Sequence, residues 1–207
     1  MFFEAGAIII AYLLGSIPMA YIVAKLRKGI DIREVGVGNM GGANVIREVG
    51  IWEGAVVLIV DIGKGAAAVI IAQALGVSQF WVFGAGFAAI LGHSFPVYLG
   101  FRGGQGVATL IGVFLVLSPL VMIITLGIIG LVLLFVRDFF SAVAISSPIF
   151  LLLIWHIDGS PTSFFYALFL TLFIIFRNRR RLPEIKVTTA RALREVKALT
   201  NKVRAKE

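Results

Sequence analysis

The sequence predicts an all-α fold: a polytopic membrane helix bundle of about seven transmembrane helices, N-terminus outside and C-terminus cytoplasmic. Hydrophobic residues make up 59% of the 207 and charged residues only 14%, with a mean hydropathy of +1.00, so the chain needs lipid as its solvent. Apolar runs recur at about 2–24, 53–75, 80–100, 107–119, 121–136, 139–157 and 164–176, several of them near the ~20 residues that a span requires. The Lys and Arg residues fall on one side of that alternation, and this sets the orientation.

The first run, Phe2 to Ala24, has no basic residues ahead of it and no small-residue cleavage site, so it reads as a span rather than a removed signal. Ser118-Pro119 separates the fourth and fifth runs, marking either a tight turn between two spans or a kink in one longer helix. With seven spans, the loops 25–52, 101–106 and 137–138 and the tail from Arg177 hold every Lys and Arg except Lys64. Short loops rich in Lys and Arg stay cytoplasmic, so the odd number of spans and the charge asymmetry agree. The bundle is expected over 1–182, followed by a basic amphipathic cytoplasmic tail over 183–207.

The absence of Cys excludes disulfides, thiolate nucleophiles and Cys-based metal sites. The net charge of +8 does not imply nucleic acid, because eleven of the nineteen basic residues lie between Arg177 and Lys206. Four of them, Arg177, Arg179, Arg180 and Arg181, follow the last span directly and suit anionic lipid headgroups. From Val187 to Lys206, apolar residues at near-helical spacing between basic ones suggest a helix lying on the membrane.

Chemistry is expected in the polar loops. The first, Gly36 to Arg47, has glycines at 36, 38, 41 and 42, whose backbone N–H groups can curl around an anion, while Asn39, Asn44 and Arg47 add side-chain donors. Its G-x-G-x-x-G string is not read as a dinucleotide site, because a membrane helix rather than a strand precedes it. In the second span, Asp61 and Lys64 stand three residues apart on one helical face, as a structural ion pair or as a means of orienting the site. No Ser or Thr follows Lys64, so this is no P-loop. The third constellation runs from Gly92 to Thr109. There Arg102, Gly103, Gly104 and Gln105 lead through Gly106 into a helix whose N-terminal N–H groups can bind phosphate, and His93 ends the preceding span.

These segments, Tyr12 to Pro18, Lys25 with Asp31-Ile32-Arg33, 36–47, 61–65 and 92–109, resemble in order those of the acyl-phosphate:glycerol-3-phosphate acyltransferases of bacterial membranes, the PlsY family. The resemblance covers the chain to about Arg181. It implies seven spans, a cytoplasmic pocket in the cell membrane, and acyl transfer from acyl phosphate to glycerol 3-phosphate, giving lysophosphatidic acid. It also implies that Lys25, Gly38, Gly41, Arg47, Arg102, Gly103, Gly104, Gln105 and Arg177 bind substrate, and that Asn39, Asn44 and His93 shape and support the reacting site. No cofactor and no metal is implied; membrane lipids and a soluble acyl-phosphate-producing enzyme are the candidate partners.

The chain departs from the family pattern inside the motifs. Val37 stands where Ser is usual, Ala43 where Thr is usual, and Gln105 where a second basic residue is expected. The third motif, which normally holds His and Asn among its basic residues, reads Arg177-Asn178-Arg179-Arg180-Arg181. A second reading of another class follows from these substitutions: a catalytically degenerate paralogue that binds a phospholipid precursor or a partner protein without turnover. A transporter fits less well, since the polar residues gather at one face and, apart from Asp61 and Lys64, do not thread the midplane.

Overall fold

The computed structural model describes residues 2–183, 185, 187–190 and 194. All regular structure among them is helical: α1 (Phe2–Gly15), α2 (Met19–Lys28), α3 (Gly42–Glu48), α4 (Ile51–Ala74), α5 (Gln79–Ser94), α6 (Val107–Leu117), α7 (Pro119–Val136), α8 (Phe139–Leu153) and α9 (Pro161–Arg177), with short 3₁₀ and π turns. Five segments are long and apolar enough to cross a bilayer: Phe2–Lys28, Ile51–Ala74, Gln79–Leu99, Pro119–Val136 and Phe139–Asp158. Val107–Leu117 and Pro161–Arg177 are shorter apolar helices, so each of the sequence's apolar runs has a helical counterpart. The protein is an all-helical integral membrane protein. The expected tail helix over Val187 to Lys206 lies, apart from 187–190 and 194, outside the described residues.

The chain forms two compact units, Met1–Pro119 and Leu120–Glu207. In the first, α4 is the central helix, packed against α1, α2, α3, α5 and α6, while α1 also lies along α5. Small residues make this closeness possible: a Cβ at Gly15 would strike the Ala89 carbonyl, and one at Gly112 the Ile62 carbonyl. In the second unit α8, its π turn and α9 pack together. Asp138 caps α8 by accepting the Ser141 N–H at 2.8 Å, and Ser160 caps α9 just before Pro161.

Three features differ from the sequence expectation. The first apolar run is not one helix. It breaks at Ser16–Pro18, because Pro18 lacks an N–H, and then resumes as α2 as far as Lys28. The glycine-rich first motif is not all loop either, since its second half is α3, whose Gly42 sits against Leu58 and the Gly54 carbonyl of α4. The third run stops being α-helical at Ser94, leaving 95–106 as irregular backbone with one 3₁₀ turn. At Ser118, by contrast, the two possibilities resolve into separate helices, α6 ending at Leu117 and α7 beginning at Pro119.

The helix after the irregular stretch, α6, has only 11 residues. At 1.5 Å per residue it reaches about 16 Å, roughly half of a hydrocarbon core. Non-helical backbone near membrane depth is tolerated where protein covers it or where it lines a polar cavity. Gly104 and Gly106 are buried, and most of the first two turns of α6 is covered by protein. The fold thus sets aside a protected place for the second glycine turn.

Candidate active site

The first loop owes its shape to Asn44. This side chain is 1% exposed. Its amide nitrogen donates to the carbonyls of Ile32 and Val35 at 3.2 and 3.1 Å, and its oxygen accepts the Val37 N–H at 3.1 Å. Both donors and an acceptor are therefore committed to backbone. Asn44, expected among the catalytic residues, is here the scaffold on which the loop is wound. Gly36, with φ of +60°, lies against that same amide, a backbone conformation and a closeness that suit only glycine. Beneath the loop, Ile32, Met40 and Val45 are buried with Ala20, Val23, Ala24 and Val57 in a small apolar core.

A second anchor of the loop was not singled out as a site residue. The Arg33 guanidinium holds the Asp31 carboxylate with Nη2–Oδ2 at 2.6 Å and Nε–Oδ1 at 3.0 Å, and reaches the Leu99 carbonyl at 3.4 Å. It also lies 5.3 Å from the centre of the Tyr21 ring. Hydrogen bonding to Arg33 keeps the Asp31 carboxyl below the usual range, and the same bonds raise the Arg33 pKa. The signal was the Asp-x-Arg spacing, which lets a guanidinium fold back on a carboxylate two residues away.

Behind the loops lies a row of buried ionisable groups. Lys64 Nζ is 2.8 Å from Asp61 Oδ1 and donates to the Ile17 carbonyl at 3.2 Å, a carbonyl at the α1–α2 break. His93 Nδ1 stands 3.5 Å from the same Asp61 oxygen. A small pocket opens beside this row, lined by Ile17, Pro18, Met40, Asp61, Lys64 and His93 among others. The expected ion pair is present, and it has His93 as a third member.

The two glycine-rich segments meet at Gly104. Its N–H donates to the His93 carbonyl at 3.0 Å, and a Cβ there would overlap both His93 Nε2 and the Met40 carbonyl of the first loop. Gly103 lies equally close to the His93 carbonyl and to Pro96. Gly106, with φ of +84°, then turns the chain into α6.

The remaining expected residues lie elsewhere in the first unit or, for Arg177, in the second. Gly38 and Gly41 lie in the first loop, with Asn39 half-buried between them. Arg47 on α3 and Arg102 before the glycine turn are exposed and form no ion pair among the described residues. Lys25, expected at the start of the loop, instead sits in the last turn of α2, where it donates to the Gly29 carbonyl at 3.2 Å. Gln105 is half-buried in the turn. Arg177 ends α9 in the second unit, next to Asn178, whose amide donates to the Ile174 carbonyl at 2.8 Å.

The sequence model of the family described as glycerol-3-phosphate acyltransferase matches residues 5–186. The chain belongs to this glycerol-3-phosphate acyltransferase family. A Bacillus velezensis protein named glycerol-3-phosphate acyltransferase is 40% identical over 178 residues, covering 86% of this chain and 91% of that one. Glycerol-3-phosphate acyltransferase 4 of Dehalococcoides mccartyi is 44% identical over 138 residues, 67% of this chain and 75% of that one. Among solved structures, the glycerol 3-phosphate form of PlsY, an integral membrane glycerol 3-phosphate acyltransferase, superposes with a TM-score of 0.82 at 35% identity, covering 91% of this chain and 93% of that one. Its lysophosphatidic acid form superposes at 0.80 with 32% identity.

The positions where the sequence departs from the pattern it resembles, 37, 43 and 105, fall in different surroundings. Val37 is held by its backbone N–H, and it is 53% exposed. Ala43 lies in the first turn of α3, and Gln105 occupies the turn whose path is set by Gly103, Gly104 and Gly106.

Proposed function

We propose that this protein transfers a fatty acyl group from acyl phosphate to glycerol 3-phosphate, releasing inorganic phosphate and lysophosphatidic acid. The observation that carries the reading is the junction at Gly104, where two glycine-rich, anion-suited segments are brought into contact within a member of this family. A glycerol hydroxyl oxygen attacks the acyl carbonyl carbon; the new C–O ester bond forms, the C–O bond to phosphate breaks, and a phosphate oxygen takes the hydroxyl proton. Acyl phosphate is a mixed anhydride with a good leaving group, so positioning and fixed positive charge suffice without a covalent enzyme intermediate.

In this reading Arg102, Arg47 and Lys25 hold phosphate groups. The N–H groups of the glycine turn and the start of α6 complete the anion cradle. Asn39 with Gly38 and Gly41 shapes the reacting site. The protein spans a bacterial cell membrane seven times with its N-terminus outside, so this chemistry faces the cytoplasm, where a soluble enzyme delivers the acyl phosphate.

Purified protein supplied with palmitoyl phosphate and labelled glycerol 3-phosphate should yield labelled lysophosphatidic acid. Acyl-CoA and acyl carrier protein run in parallel identify the donor. Absence of product from every donor, with the protein folded, overturns the reading.

A further inference from the structure

Asp61, Lys64 and His93 are only 2%, 6% and 7% exposed. Buried ion pairs are a poor source of net stability, since desolvation offsets most of the attraction and an apolar replacement often serves as well. Fold stability alone therefore does not account for three ionisable groups in one row. The contacts at the two ends of the row do.

At one end, Lys64 donates to the Ile17 carbonyl, so the ammonium is fixed to the break from which α2 departs, and α2 carries Lys25. At the other end, Asp61 fixes the His93 ring through Nδ1, leaving the opposite edge, Nε2, facing the Cα of Gly104. His93 thus braces the glycine turn twice, through its carbonyl with the Gly104 N–H and through its ring as a wall. Loss of Asp61 removes one hold on the ring that forms this wall.

We infer that Lys64, Asp61 and His93 form a positioning row that sets the glycine turn 103–106 in register with the α1–α2 break. The three act through other groups and do not touch the reacting atoms. Their part in the reaction rests on the acyl-transfer reading above, and the rigidity they confer on the turn does not.

The test pairs a backbone measurement with kinetics. The double variant Asp61→Asn/Lys64→Met removes both charges together, so no unpaired charge is left buried. The expected result is a melting temperature close to the parent's, amide exchange in a peptide covering 100–108 at least ~10-fold faster while α6 exchanges as in the parent, and a KM for glycerol 3-phosphate raised ~10-fold with a smaller change in kcat. A variant that melts lower and exchanges faster evenly across residues 2–117, with KM unchanged, shows a row that only holds helices together and overturns the inference.

His93→Asn is the second variant, needed should the double one not fold. Its amide can still face Asp61 while the wall at Gly104 is gone, so faster exchange confined to the turn is expected. Exchange at the parent's rate overturns the inference. Should the parent itself make no lysophosphatidic acid, the acyl-transfer reading falls, and the exchange data still decide whether the row holds the turn.

Discussion

The Asn44 side-chain oxygen accepts the Val37 backbone N–H at 3.1 Å, tying the first turn of α3 to the irregular half of the glycine-rich segment. This bond and the two that the amide nitrogen makes replace the hydrogen bonding that a helix or sheet would otherwise supply. Asn44→Ala leaves two carbonyls and an N–H without their partner in a partly buried setting. The expected cost is about 2–3 kcal/mol of stability, with acyl transfer lost alongside. Thermal melting in detergent and turnover measured on the same sample check this, and melting unchanged from the parent refutes the scaffold role.

Because Val37 is held by its backbone and its side chain is exposed, a hydroxyl can be restored there without repacking. Val37→Ser combined with Gln105→Lys returns a hydrogen-bond donor and a cation to the glycine-rich segments. Turnover with palmitoyl phosphate should rise at least ~3-fold, about 0.7 kcal/mol, with melting unchanged. A fall in kcat/KM instead shows that this pocket works through its own residues at 37 and 105.

The bundle was legible because lipid imposes long apolar runs. The two glycine-rich segments were legible because glycine clusters beside Arg and Asn interrupt the apolar runs. The role of Asn44 was not, since an Asn in a glycine-rich loop looks the same in sequence whether it faces substrate or backbone. Only its three backbone partners distinguish the two. The link from Asp61 to His93 was hidden for another reason: it joins α4 to α5 across 32 positions, and no local spacing reports such a contact. The break at Pro18 was written in the sequence but masked by the surrounding apolar run, in which a Pro is also compatible with a kinked single helix.

Asp31 and Arg33 give the first loop a pH-dependent anchor. The folded carboxyl has a pKa below its ordinary value, so the pair's contribution is fully present above the unfolded value of about 3.9 and is lost as pH falls through the lower folded value. Asp31→Asn should therefore lower the melting temperature at pH 7, by an amount equivalent to at most about 1 kcal/mol because the pair is partly exposed. The gap between variant and parent should close in strongly acidic buffer. A gap that stays constant down to pH 2 shows that the charge on Asp31 plays no part.

With no natural Cys, single cysteines can report orientation without background. Val37→Cys and Tyr98→Cys lie at exposed positions in the two segments that meet at Gly104, and Asp158→Cys lies at the exposed end of the π turn after α8. In intact cells an impermeant maleimide should label only position 158, and in inverted vesicles only 37 and 98. Labelling of 37 and 98 from opposite sides breaks the single-pocket proposal, since segments that address one substrate must share a compartment.

Arg102 is the strongest candidate for a principal phosphate ligand. It stands immediately before Gly103, it is exposed and free of any ion pair among the described residues, and with Gln105 in the turn it is the only Lys or Arg between Gly92 and Thr109. Arg33 and Arg27 differ on this point, because Asp31 and Glu53 already neutralise them. A guanidinium can grip phosphate with two parallel hydrogen bonds, which an ammonium cannot reproduce. If Arg102 served only to mark the cytoplasmic side of the membrane, Lys would do as well. Arg102→Ala should therefore lower kcat/KM for glycerol 3-phosphate or acyl phosphate at least ~10-fold, about 1.4 kcal/mol. Arg102→Lys should recover only part of that loss, and Arg194→Ala in the tail should leave turnover unchanged. Full activity in Arg102→Lys assigns the residue to topology alone, and full activity in a folded Arg102→Ala removes it from the phosphate site.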